Sequence, residues 1–148
     1  MKFRIDVDTG NHYEFAAEDA RDAVASAHRR EDSMGTRHNR VITSLWYFDP
    51  ALAEGAGQWV SGDELLADIP RPLFVIAQDV RDHWTNVYFG AEPYLRAMSR
   101  LNWLTDPYGA DDGESIVLYF VESNASGWRG EDARRIKAEL RAMRRAVQ

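Results

Sequence analysis

The sequence predicts an α+β fold: an N-terminal ββαβ unit with a small antiparallel sheet, followed by a mostly helical C-terminal half. Three observations carry that expectation. Residues 2–8, KFRIDVD, alternate Phe3, Ile5 and Val7 with Arg4, Asp6 and Asp8, the period of a half-buried strand. Leu73, Ile76, Ala77, Val80, Trp84 and Tyr88 recur instead with the period of a helix. Near the C-terminus, Ile136, Leu140, Met143 and Val147 form a second helical stripe.

The elements follow in order. Thr9, Gly10 and Asn11 supply turn chemistry, and residues 12–15, HYEF, make the second strand of a hairpin. Glu18 and Asp19 open a helix, where their charge suits its positive end. Ala20, Ala23, Val24 and Ala27 give that helix a small-residue face that can lie close to a sheet. Residues 29–40 read as a polar loop, and residues 40–48, RVITSLWYF, as the third strand, stopped by Asp49 and Pro50. Residues 51–62 are a Gly/Ala-rich connector, and Ser61 with Glu64 could form a capping box for a short helix. Pro70 and Pro72 precede the periodic helix, which the spacing carries through Tyr88. Gly90 and Pro93 break the chain before a helix over about residues 91–103. A turn follows at 105–109. The apolar run at 116–121 could be a strand, but Asp111 and Asp112 before it favour a buried helix over 113–123. The last helix spans about 130–147 with Gly130 at its N-cap. The expected organisation is thus 1–50 as the ββαβ unit, 51–62 as connector and 63–148 as the helical part, in one compact domain.

The composition bounds the class. At 148 residues, with 45% hydrophobic and 11% aromatic content, the chain can bury a real core. The absence of cysteine excludes disulfides and thiolate metal sites and fits a reducing cytoplasm. No apolar run approaches the length of a membrane span, and the alternating N-terminus does not read as a signal peptide. The expected location is cytoplasmic, with no membrane partner. The formal charge of −6 is uneven: residues 129–148 hold seven cations and three anions, or +4, and the rest of the chain carries −10. Either the basic tail meets an external polyanion, or it folds back on acids of its own chain or of a second copy.

Residues 86–98, NVYFGAEPYLRAM, and 108–140, YGADDGESIVLYFVESNASGWRGEDARRIKAEL, resemble stretches of small uncharacterised proteins of actinobacterial phages and related mobile elements. The resemblance covers about the C-terminal 60 residues and brings no catalytic residue with it. An Arg-to-Lys ratio of 16 to 2 agrees with a GC-rich genome. What the resemblance implies is host takeover, regulation, or defence evasion of the anti-CRISPR or anti-restriction kind.

The candidate partner-binding residues are Trp128, Arg129, Arg134, Lys137, Arg141 and Arg144, with Trp59 in the connector. Arginine makes bidentate contacts to phosphate and carboxylate alike. An arginine stripe could hold a nucleic-acid backbone, with Trp128 stacking on a base. The plainer reading pairs the stripe with the protein's own acids and makes Trp128 an anchor where the helix begins. A pI of about 5.2 opposes a dedicated nucleic-acid binder. The scattered acids could instead imitate a phosphate array, or simply keep the protein in solution. Asp6 and Asp8 share a strand face with His12 nearby, and Asp111, Asp112 and Glu114 form a second acidic group. Both read first as a solvated sheet face and a helix start, so no metal site and no cofactor is expected. His12, His28, His38 and His83 lack metal spacing, and no nucleophile motif or phosphate-cradling glycine loop appears, so no catalytic residue is assigned. Trp84, Tyr88, Phe89, Tyr94 and Trp103 read as core, with some able to form an interface. The expected function is a small interaction module that binds and modulates a host protein. The alternative is a nucleic-acid-binding regulator that uses the basic helix together with Arg29, Arg30, Arg37 and Arg40.

Overall fold

The computed structural model describes residues 1–33 and 41–148. The chain divides into two compact units, Met1–Pro70 and Arg71–Gln148. The architecture is α+β: a four-stranded antiparallel sheet with helix, then a mostly helical second half.

In the first unit the order is β1 (Lys2–Val7), β2 (His12–Ala16), α1 (Ala20–Ser33), β3 (Ile42–Asp49), β4 (Gln58–Ser61) and α2 (Asp63–Ala67). The sheet order is β2-β1-β3-β4. The hairpin turns where expected, through Gly10 at φ 85°, a backbone angle that glycine adopts without strain. Ile5 stands opposite Tyr13 on one side and Leu45 on the other, so these residues share a face. The Tyr13 hydroxyl donates to Glu31 of α1 at 2.6 Å, which places α1 over that face. Phe3, Ile5, Val7 and Leu45 are buried there with Ala23, Val24 and Ala27 of the helix. Asp19 caps α1 by accepting from the Asp22 amide at 2.9 Å.

Several boundaries differ from expectation. Helix α1 continues to Ser33, into the stretch read as a polar loop, because Glu31 is buried and bonded to Tyr13. The rest of that loop, with Arg37, His38 and Arg40, lies outside the described residues. Residues 58–61, within the Gly/Ala-rich stretch, form β4 through pairing with β3. The Ser61/Glu64 capping box does not form: Gly62 is the N-cap of α2 and makes no side-chain cap. Asp63 instead accepts from the Leu45 amide at 3.0 Å, fastening α2 to β3.

The second unit contains α3 (Leu73–His83), α4 (Glu92–Met98), a minimal hairpin of β5 (Pro107–Tyr108) and β6 (Asp111–Asp112), α5 (Gly113–Tyr119) and α6 (Glu131–Val147). Helix α5 runs on into a π-helical turn, Phe120–Asn124. The 113–123 segment is therefore helical, with Asp112 capping it through the Ser115 amide at 2.8 Å. Helix α3 stops five residues short of Tyr88, because Trp84 takes extended geometry at φ −111°, ψ 92°. Helix α4 stops at Met98 where a helix to about 103 was expected. The Asn102 and Trp103 amides turn instead to the Asp106 carboxylate, at 2.8 and 3.0 Å. One apolar core joins these helices. Leu73, Ile76, Val80, Leu95, Met98, Val117, Phe120, Ile136 and Leu140 lie in it, each without appreciable exposure. Each such side chain contributes about 1.5–3 kcal/mol by leaving water.

Candidate interaction surface

Most of the sequence-derived candidates lie on helix α6 or just before it. Ala133, Ile136, Leu140 and Met143 face the core, and the cations run along the helix flanks. Trp128 is 4% exposed and stacks on Trp84, rings 5.4 Å apart and 9° from parallel. Its face is taken, so it is an anchor and not a platform for a base. Lys137 donates to the Trp128 carbonyl at 2.7 Å and so ties the preceding turn to the helix. Burial lowers the Lys137 pKa, and Arg141 and Arg129 lower it further.

The arginines divide. Arg141 bonds Glu122 of the π turn at 2.9 Å. Arg144 approaches Glu114 of α5 at 3.8 Å, and its buried Nε has no hydrogen-bond partner among the described residues. Arg129 and Arg134 are exposed, with no side-chain partner among the described residues. Trp59 lies on β4, half-buried, edge-on to Phe48 with centroids 5.5 Å apart. The Phe48 ring occupies the space that a Cβ on Gly57 would need, so the Gly/Ala-rich stretch is shaped around that ring.

A charged cluster absent from the sequence reading fastens α3 to α6. Asp79, only 2% exposed, receives Arg135 at 2.9 and 3.2 Å and Arg71 at 3.0 Å. Arg71 also grips Glu139 through two bonds of 2.8 and 2.6 Å. Arg135 reaches Asp132 at 3.1 Å. Burial pushes the Asp79 pKa up, but the bonds from Arg135 and Arg71 outweigh it and hold the carboxyl below its ordinary range. His83 completes the cluster: its Nδ1 lies 2.9 Å from the Asp79 carbonyl and 2.9 Å from the Asp79 carboxylate. The bond to the Asp79 backbone, aided by Asp132, raises the His83 pKa. One signal in the sequence could have exposed this cluster. Asp79 interrupts the apolar stripe between Ile76 and Val80, and an acid at such a position needs a buried partner.

The segment after α3 presents the largest exposed aromatics. Phe89 is 81% exposed and Tyr88 48%, their rings 4.7 Å apart and inclined at 58°. The segment is braced at both ends. Arg81 of α3 bonds Glu92 of α4 at 2.8 and 3.1 Å, and Trp84 and Ala91 are buried beneath. The Ala91 amide closes the turn onto the Tyr88 carbonyl at 2.9 Å. Gly90 permits the packing: a Cβ there would lie 2.5 Å from the Tyr88 ring and 2.9 Å from Asn124 Oδ1. Asn124 in turn donates to the Tyr119 carbonyl at 2.8 Å. Tyr119, also exposed, contacts Tyr94 with ring centroids 5.9 Å apart. Of the five aromatics read chiefly as core, Trp84 is buried and Tyr94 and Trp103 half-buried, while Tyr88 and Phe89 stand in solvent. The periodicity counted Tyr88 as inward because it assumed that the helix continued.

Among the described residues, no three His, Asp or Glu side chains are grouped so as to hold a metal ion. No helix among them is long and apolar enough to cross a membrane. Fold and surface together define a small α+β protein with a braced aromatic knob beside a partly neutralised basic helix. Comparison with known proteins returns no match to a family model, a curated protein or a solved structure.

Proposed function

We propose that the chain is a small cytoplasmic protein–protein interaction module, encoded by a phage or mobile element, that binds and modulates a host protein. The observation that carries this reading is Phe89, a large apolar ring held in water on a braced turn. Exposed aromatics cost solubility, and a protein of this size gains nothing for its fold from one that touches so little. Rigid aromatic anchors concentrate binding energy, and bracing reduces the ordering entropy lost on association. The resemblance of residues 86–140 to phage proteins directs the reading to a host target, such as a restriction or CRISPR component. The rival reading, a nucleic-acid-binding regulator, has less to work with: Trp128, the ring it would stack on a base, is buried.

Capture from nuclease-treated actinobacterial lysate tests the reading. The tagged chain should retain a discrete protein that Phe89→Ala loses. Recovery that vanishes with nuclease, or that ignores Phe89→Ala, would contradict it.

A further inference from the structure

The aromatic knob does not stand alone. Tyr88 and Asn124 both border Gly90, and Asn124 belongs to the same π turn as Glu122. Glu122 is bonded to Arg141 of α6. One turn, Phe120–Asn124, therefore joins the aromatic surface to the flank of α6. On that flank the charge is one-sided. Glu122 feels Arg141, Arg144 and Lys137, and Lys137 also feels Arg129. Glu122 thus answers three cations, of which Arg144 alone also approaches a second carboxylate, Glu114, and the exposed Arg134 follows on the same flank one turn before Lys137.

We propose that Tyr88, Phe89 and the Arg129/Arg134/Lys137/Arg141 flank form one docking surface, and that its occupant is an acidic segment of a partner protein carrying a bulky apolar anchor. The inference rests on the interaction-module reading and adds the chemistry of the partner. The apolar anchor packs on the Phe89 ring. The partner's carboxylates take the place of Glu122 on Arg141 and engage Arg134 and Arg129. Glu122 then serves as a resident stand-in for the partner's acid. It is easily displaced, because both members of its pair are about half exposed and such pairs are weak. Charge complementarity across the surface would speed association and reject basic partners. A nucleic-acid strand fits less well. The two rings incline against each other instead of offering parallel faces for successive bases.

Selection of a random displayed-peptide library on the immobilised full chain tests the proposal. Enriched peptides should carry several Asp or Glu around one large apolar residue. Their binding should weaken about tenfold or more with Phe89→Ala and with Arg141→Glu, and should fall with added salt. Glu122→Gln should tighten binding about threefold, because the resident competitor is gone. Arg134→Glu, remote from the Glu122 pair, should also weaken it. Melting curves and circular dichroism would show that each variant folds. Peptides that depend on Phe89 but show no acidic enrichment would overturn the partner chemistry and leave the module reading standing. No enrichment, or enrichment indifferent to Phe89, would overturn both. An oligothymidylate bound more tightly than the best peptide, and lost with Arg141→Glu, would replace the protein segment by a nucleic acid.

Discussion

The two units solve the problem of charge in opposite ways. Unit Met1–Pro70 has seven Lys and Arg against 13 Asp and Glu, so it carries the whole net charge of −6. Unit Arg71–Gln148 has 11 of each sign and is neutral. In the first, cohesion comes from strand ladders and a helix laid on one sheet face. In the second, helices α3 and α6 are held by an apolar core and by the Asp79 cluster, whose partners come from sequence positions as far apart as Arg71 and Arg135. The contrast answers the puzzle of a basic tail on an acidic chain. The cations of α6 chiefly balance the acids of their own unit, through Arg135, Arg141 and Arg144. Net charge along the sequence therefore overstates the basic surface left free.

The sharpest way to break this picture is at the core side of α6. Leu140 is fully buried, and Leu140→Asp puts an uncompensated charge into the apolar core, which should cost more than about 4 kcal/mol and unfold the second unit. Red-shifted tryptophan emission from Trp84 and Trp128 would report it. Unchanged emission would mean that α6 is not part of the core.

Next comes the cluster. Asp79→Ala leaves Arg71 and Arg135 without their shared acid and should destabilise by about 2–4 kcal/mol. Arg135→Ala leaves Asp79 bonded to Arg71 and should cost about 1 kcal/mol. Denaturant melts would measure both, and equal losses would show that Asp79 is not the hub.

The cluster also predicts a smaller dependence on pH. The His83 pKa is raised above its ordinary 6.5 in the folded state. Its contribution is thus fully present below about pH 6.5 and is lost as pH rises through the raised folded value. Asp79 works in the other direction. Its pKa is lowered, so its contribution is present above the ordinary carboxylate range and disappears as pH falls through the lowered folded value. Melting temperature against pH should decline toward the alkaline side in the native chain, and His83→Gln should flatten that decline.

Much of the fold was legible in the sequence, and the failures share a cause. β1, β2, β3 and α6 announce themselves by local period. Asp19 and Asp112 cap helices whose starts the acids marked. What escaped depends on distant partners. β4 is four residues of weak pattern that exists because β3 pairs with it. The end of α3 at His83 is invisible to periodicity, since Trp84 and Tyr88 keep the spacing although the chain has already turned. The proposed docking surface suffered from the same error. Tyr88 was counted inward with Trp84 but is exposed, whereas Trp128, read either as a binding residue or as an anchor where the helix begins, is buried against Trp84. Only the π turn brings Glu122 and Asn124 between the knob and the basic flank, and nothing in the sequence of residues 120–124 marks it.

The central claim is that the second unit separates what holds it together from what it offers to a partner. The most direct test is a thermal and denaturant melt of Phe89→Ser beside Trp128→Ala. The account predicts that Phe89→Ser stays within about 0.5 kcal/mol of the native chain, as an exposed ring should. Trp128→Ala should lose about 3–5 kcal/mol, as a buried stacked tryptophan should. A loss for Phe89→Ser as large as that for Trp128→Ala would contradict the account, because the ring would then be part of the fold and not a surface for binding.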